Sequence, residues 1–482
     1  MNDNTQDAIP PIDIGDATSW CEEEYSDLQL GDKRLDRRLV ATAAQVMSQP
    51  TASLNQACAD WAATKASYRL FDNAKVTADK VLEPHQVQVE ERMKRYPLVL
   101  AVQDTTYIDY SSHPKTEGLG PIGTEEQDLS GFVMHPTLAV TPKGLPLGVL
   151  DLQIWVRPTD APKRTPYEKQ CQPIEEKESY KWVQGLEQTV KRTPPGVQVV
   201  SVCDREADVF EFMVRAQELK TGFLIRAAQD RALVDLQIGK VWDAAEAAQV
   251  SGYLKVHVPA QKNEPEREAI TSVRFCTMTL RPPWRPRSPD KEPLPPVDVF
   301  VVLVQEEDPP AGVEPLLWLL FSNVPVWSFA DAVERIKWYR CRWHIEVYFK
   351  VLKSGCRVED CRLQTAERLT RFLALMCVVA WRLHWLTHIG RHCPDLPCTV
   401  VLADHEWRAL YVKIHRQPVP SQTLPTVGQA MRWIARLGGF LDRKSDGAPG
   451  VTVIWRGWQR LSDISAAWLL FEQTNQEPTT CG

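Results

Sequence analysis

The chain has 482 residues, 44% of them hydrophobic, and a formal net charge of −6. That length is too great for one domain, so two to four are expected, with enough apolar residues for a substantial core. The acidic balance excludes a uniformly basic protein that coats nucleic acid, and leaves room for basic patches that meet it at defined surfaces.

In chain order, Met1 to Asp16 is polar and acidic and does not read as a secretory signal. Residues 17 to about 80 read as helical. Gly31-Asp32 opens a basic amphipathic segment that begins Lys-Arg-Leu-Asp-Arg-Arg and runs through Ala44. A second helix over 63–72 presents Lys65, Tyr68 and Arg69 as candidate contacts to a DNA backbone, since small helices with basic first turns commonly meet DNA. A helical cap on a larger domain is the plainer alternative for this region. Residues 97–103 form a short apolar run that predicts a buried strand and ends at Asp104. Strands over 132–141 and 146–157 follow, joined by a Lys143-Gly144 turn. Then come a helix over about 175–192, a strand over 198–203 that ends at Asp204, a helix over 206–218, and a strand over 222–227 that carries Arg226. Three strands, helix, strand, helix, strand is the order of an RNase H-like α/β core. From 229 to 324 the pattern changes to short strands and proline-rich loops, with seven prolines between Pro282 and Pro296, and reads as a β-rich insertion. Trp318 lies there in an apolar strand. Phe372 to Trp381 is an apolar run of ten residues, read as a buried helix too short to span a bilayer. From about 390 the chain is mostly helical, with Pro418 to Pro425 as a linker. The expected domains are therefore 1–80, 81–389 and 390–482.

The segment from Tyr339 to Lys353 carries the strongest chemical signal. Read as one helix at about 100° per residue, it places Tyr339, Arg342, Glu346 and Lys353 within a stripe roughly 60° wide. Glu346 could hold a divalent metal there while the two cations and the phenol grip phosphates; a solvated face with an Arg342–Glu346 ion pair is the alternative. Residues 332–371 hold ten Lys/Arg against five Asp/Glu, so the segment is locally basic. Asp104 and Asp204 both stand at the carboxyl ends of strands, where ligand sites of open α/β sheets gather. If the strands are neighbours, the carboxylates repel, and a pair of Mg²⁺ ions on hard oxygen ligands removes the conflict. Taken singly, each aspartate could equally cap the following turn. The twelve cysteines show neither Cys-x-x-Cys pairs nor zinc spacing and are expected to be reduced, in a cytoplasmic protein. His135 and His344 fall near the site, and neither is expected to ligate its metal.

The stretches LAVQDTT, VVSVCDREADVFEF and YRCRWHIEVYFKVLKSG resemble the three acidic blocks of the DDE transposases of the IS4 family, on the branch that contains the Tn5 transposase. Tyr339, Arg342, Glu346 and Lys353 match that family's Y-(2)-R-(3)-E-(6)-K signature at every defined position. The likeness extends to LGDKRLDRRLVATAAQ and SYRLFDN near the start, and to WIARLGGFLDRKSDG and IWRGW near the end. It implies an RNase H-like catalytic domain between an N-terminal domain that binds transposon ends and a C-terminal dimerisation domain. Asp104, Asp204 and Glu346 are then the catalytic residues and the ligands of two Mg²⁺ ions, which Mn²⁺ can replace. Arg226 aligns with a DNA-contacting arginine, and Trp318 becomes an aromatic platform for a base turned out of the stack, a task that Trp343, next to the catalytic stripe, could share; core packing is the alternative for both tryptophans. The implied activity is cut-and-paste transposition through a hairpin, by a homodimer on double-stranded DNA, nucleoid-associated and without a membrane. A nuclease of the same fold, or an inactive descendant acting as a regulator, would share much of this pattern.

Overall fold

The computed structural model describes residues 17–476, apart from residues 59, 125–126, 161, 163, 236, 238, 259–265, 284–292 and 420–423. The polar opening segment, part of the proline run and part of the 418–425 linker therefore lie outside the described residues.

One mixed sheet organises the chain. Its strands are β1 (Leu98–Gln103), β2 (Thr106–Asp109), β3 (Gly120–Ile122), β4 (Leu129–Val140), β5 (Pro146–Trp155), β6 (Gln198–Cys203), β7 (Gly222–Arg226), β8 (Val250–Val258), β9 (Arg267–Leu280), β10 (Val297–Glu306) and β11 (Leu317–Ser322). Their order is β2-β4-β1-β6-β7-β11-β10-β9-β8, with β3 and β5 paired to β4. At the centre β1 runs parallel to β6, and β6 parallel to β7, while β4 lies antiparallel to β1. Parallel neighbours need a long crossover. The helices Tyr180–Arg192 and Phe210–Glu218 occupy the two crossovers. This is the mixed sheet expected of an RNase H-like core, flanked by helical regions at both ends of the chain.

The segment 229–324 is not a separate β unit. β11 pairs antiparallel with β7, Leu320 opposite Arg226, so the inserted strands prolong the same sheet. Successive residues of these strands alternate between two cores: Val302, Val304 and Leu320 join one, while Val301, Leu303, Leu319 and Phe321 join the other. A period of two serves both faces, which is why the runs read as apolar rather than alternating.

The apolar run at 372–381 is the middle of a longer helix, Ala366–His392. That helix is long and apolar enough to cross a membrane by length and composition, yet 94% of its most apolar window is buried inside the protein. It packs on β5 and on the helix Ala78–Met93. The domain limits expected near 80 and 390 both fall inside these two helices. The N-terminal helix Lys33–Ser48 starts where expected and Trp61–Asp72 starts two residues before its expected start at 63, with Asp32 and Asp60 accepting from the first-turn N–H groups of Arg34 and Ala63. C-terminal helices span Asp404–His415, Val427–Leu437 and Val451–Gln476.

Candidate active site

The two strand-end aspartates meet because β1 and β6 are parallel neighbours in register, Val102 opposite Val202. Two residues on, each strand ends in its aspartate. Asp104 is 8% exposed, and its Oδ1 accepts the Thr105 N–H at 2.7 Å. Oδ1 of Asp204 accepts the Glu206 N–H at 2.8 Å and starts the short turn Arg205–Ala207. That turn delays the following helix to Phe210, four residues after the expected start. Burial, and then the charge of Asp204, raise the Asp104 carboxyl to about 7 even though Arg342 opposes the rise. Burial likewise raises Asp204. Neighbouring carboxylates that hold protons this tightly form a donor set that a divalent cation would relieve.

The third carboxylate arrives on a different geometry from the expected one. The segment from Tyr339 to Lys353 is not one continuous α-helix. The helix Phe329–Arg340 ends at Cys341, and a second helix spans Trp343–Lys350. Between them the N–H groups of Cys341, Arg342, His344 and Ile345 bond three residues back, a local tightening. Val351–Gly355 then widens into a π turn closed by Cys356 N–H to the Val351 carbonyl at 2.7 Å. Three stripe residues still converge. Arg342 Nη1 donates to Asp104 Oδ2 at 2.8 Å, and Nη2 donates to Glu346 Oε1 at 3.2 Å. Tyr339 is buried, its ring edge-to-face with Trp318 at 5.3 Å, and it shares a hydrogen bond with Arg226. The Arg342 guanidinium thus supplies positive charge where the carboxylates would face a metal. Lys353 stands apart: burial lowers its pKa, and the acids that counter this are Glu359 and Asp109.

Arg226, Trp318, Tyr339 and Arg342 open on a cleft of about 1400 Å³. Lys143, Arg205, Arg226, Lys337, Arg340 and Arg342 line it, together with Trp318, Trp343 and His344, and with Glu314 as an acid. Trp343 is 57% exposed, and burial pushes the His344 imidazole down to about 4. Arg226 also donates to the Leu317 carbonyl at 2.9 Å, so one of its nitrogens serves the strand rather than the cleft. Far from the carboxylates in sequence, Lys65 and Arg69 are exposed on the helix Trp61–Asp72. Tyr68, half-buried between them, donates to Asn55 Oδ1 at 2.8 Å. Trp61, 72% exposed, shares that helix and was not singled out from the sequence.

Some groups in this region escaped the sequence reading. Arg205 directly follows Asp204 and could have been found from that spacing alone. Lys181, buried on the helix Tyr180–Arg192, donates to Glu206 Oε2 at 3.5 Å and acts on Asp204; nothing local in the sequence marks it. Asp208, in the same acidic block as Asp204, has a structural part. It is 4% exposed, accepts from Arg231 Nε at 2.7 Å and holds the N–H groups of Ala228 and Gln229. His135 is buried against Trp182 and meets the Thr105 hydroxyl at 3.0 Å, behind the strand end rather than among the carboxylates.

The raised Asp104 carboxyl makes stability depend on pH. Its folded value lies above its ordinary 3.8, so its contribution is fully present below that value and is lost as pH rises through about 7. A divalent cation replaces the proton, so the thermal midpoint gained on adding Mg²⁺ should grow across that window. Asp104→Asn should flatten the trend; a Mg²⁺ effect independent of pH in wild type would contradict it.

Three family models match the chain: one described as transposase DNA-binding over residues 17–76, one as transposase DDE domain over 183–382, and one as transposase Tn5 dimerisation domain over 378–468. The DDE match contains Asp204 and Glu346 and begins after Asp104. Together they identify regions for DNA binding, for divalent-metal nucleic-acid chemistry and for dimer formation. The chain belongs to the DDE transposases of the IS4 family, with a Tn5-like arrangement of its three regions.

Proposed function

We propose that this protein is a cut-and-paste DNA transposase that binds the ends of its own element, cleaves both strands through a hairpin, and joins the 3′-OH ends to target DNA. The reading rests above all on the meeting of Asp104, Asp204 and Glu346 beside a basic cleft. The three carboxylates would hold two divalent ions, Mg²⁺ with Mn²⁺ as a substitute. Such ions activate an attacking oxygen and stabilise a leaving one. One site can serve every step because only the nucleophile changes: water for the nick, the 3′-OH for the hairpin, water for its opening, and the 3′-OH again for joining.

The chain's own residues position the substrate. Once the carboxylates are neutralised, Arg342 is free to exchange Asp104 and Glu346 for a phosphate, and Tyr339 and Arg226 lie beside it to share that phosphate. Lys353 serves the strand on the side of Asp109. Trp343, by its exposure, is the better stacking surface for an unpaired base, and Trp318, edge-to-face with Tyr339, lines the same cleft. Lys65, Tyr68 and Arg69 contact the backbone of the end sequence. The protein acts as a homodimer on double-stranded DNA, in the cytoplasm at the nucleoid, with residues 1–80, 81–389 and 390–482 as its binding, catalytic and dimerisation regions.

The test is a cleavage assay in Mg²⁺ on DNA that carries the inverted repeats flanking the gene. Nicked, hairpin and joined products are expected. Cleavage without joining would point to a nuclease, and specific binding without cleavage to a regulator. In the same system Arg226→Ala should reduce the slope of log affinity against log salt by about one, the share of one phosphate contact. An unchanged slope would remove Arg226 from the phosphate contacts.

A further inference from the structure

Beside the carboxylates, and sharing none of them, three imidazoles meet. His384 and His388 lie four residues apart on the helix Ala366–His392 and so project from one face. His344, from the helix that carries Glu346, faces them. Each ring offers a nitrogen, and these ligand atoms all lie within 4.8 Å of one another. His344 Nδ1 and His384 Nε2 are 3.3 Å apart. Nitrogens bound at the usual zinc distance of about 2.0–2.1 Å in a tetrahedron stand about 3.3–3.4 Å from each other. The ring centroids form a triangle with sides of 5.4, 4.8 and 4.7 Å.

Hydrogen bonding alone leaves this cluster incomplete. His384 is fully buried, and its Nδ1 has no hydrogen-bond partner among the described residues. Its Nε2, which faces His344 Nδ1, is the nitrogen placed to ligate, so Nδ1 carries the ring proton. The surroundings fix the frame. His392, one turn further along, meets the His388 carbonyl at 2.9 Å and the Lys143 carbonyl at 3.0 Å. The next residue, Gly144, has φ +91°, and a Cβ there would stand 2.8 Å from His344 Nε2, so glycine lets the turn close over the ring.

We propose that His344, His384 and His388 form a second metal site, for a borderline late first-row divalent cation such as Zn²⁺, which ties the helix carrying Glu346 to the buried helix Ala366–His392. Imidazole nitrogens suit Zn²⁺, Co²⁺, Ni²⁺ and Cu²⁺, whereas Mg²⁺ takes hard oxygens, so the two sites in this region sort metals by ligand type. Three protein ligands leave the fourth position to water.

The test is equilibrium dialysis of the chelator-stripped full chain against Zn²⁺ with Mg²⁺ in large excess, which saturates carboxylate sites and leaves imidazoles free. One Zn²⁺ per chain is expected, with affinity falling about tenfold or more in His388→Gln and in His384→Ala. Co²⁺ in place of Zn²⁺ should give the absorption of a four-coordinate nitrogen site in wild type and lose it in His388→Gln. If His384→Ala fails to fold, His344→Gln and His388→Gln carry the comparison. Zn²⁺ uptake equal in wild type and His388→Gln would overturn the site, as would uptake abolished by Mg²⁺ or by Glu346→Ala. A failed cleavage assay with this site intact would count against the transposase reading alone.

Discussion

Replacing Glu346 by alanine is expected to lower strand cleavage by about three orders of magnitude or more, with binding of end DNA kept within a few-fold. Glu346 sits in the first turn of the helix Trp343–Lys350 and faces Asp104 across the Arg342 guanidinium. Removing it takes one of three carboxylates from the donor set. Metal stabilisation of transition-state charge is worth several kcal/mol, and about 1.36 kcal/mol is a factor of ten in rate, so losing most of it gives the expected drop. Binding should survive because the lost group is an anion among cations and contacts no phosphate. Single-turnover cleavage and a binding isotherm on the same DNA read the two effects separately. Asp208→Asn is the informative contrast: it lies in the same block as Asp204 but its bonds are to Arg231 and backbone, so its loss should appear in stability. A Glu346→Ala variant that cleaves within tenfold of wild type would remove Glu346 from the chemistry.

Glu24→Ala should cost about 3–5 kcal/mol of stability, the cost of breaking a buried pair from one side. Glu24 is 2% exposed and bonds both His85 and Arg92, which come from the helix Ala78–Met93. Burial pushes its carboxyl up, but Arg92 and His85 outweigh that and hold it ionised, below the usual carboxylate range. His85, kept low by burial, is neutral; its Nε2 accepts the Val149 N–H at 2.9 Å, so Nδ1 carries the proton given to Glu24. Arg92 also lies over the Trp381 ring at 4.5 Å and donates to the Leu147 carbonyl at 3.0 Å. The triad therefore joins the first N-terminal helix, Ala17–Glu24, to β5 and the long helix Ala366–His392. Alanine strands a buried guanidinium, whereas Glu24→Leu with Arg92→Met removes both charges and should recover most of the loss. Chemical denaturation followed by tryptophan fluorescence would show this, and a loss below about 1 kcal/mol for Glu24→Ala would mean that Arg92 finds other partners.

The readings that held were those in which neighbours in sequence decide the outcome. β1 and β6 are short apolar runs that each stop at an aspartate, and the sheet keeps both where the runs put them. Asp32 starts its helix as expected because a side-chain oxygen beside a bare N–H needs only a residue or two of chain. Of the cations in 332–371, Lys337, Arg340 and Arg342 line the cleft. The reading of Tyr339–Lys353 as one helix failed at two points, Cys341 and Val351, where the hydrogen-bond step changes while Cys341, Arg342, Lys350 and Val351 all keep right-handed helical dihedrals. Such a change leaves almost no trace in periodicity.

What the sequence determined by itself is the inventory: the three carboxylates, the cations beside them, and the strand ends and helix turns that present them. What tertiary structure decided is which of these meet. The register of β1 on β6 brings Asp104 to Asp204, and pairing of β11 with β7 makes the β-rich insertion prolong the core sheet. Burial between two helices far apart in sequence brings His344 to His384 and His388, and makes Arg342 a partner of the carboxylates before any phosphate arrives. The division has one cause. Strand ends and caps are set by energies between residues a few positions apart, whereas register, burial and pKa depend on contacts between distant segments, whose energies exist only once the chain has closed on itself.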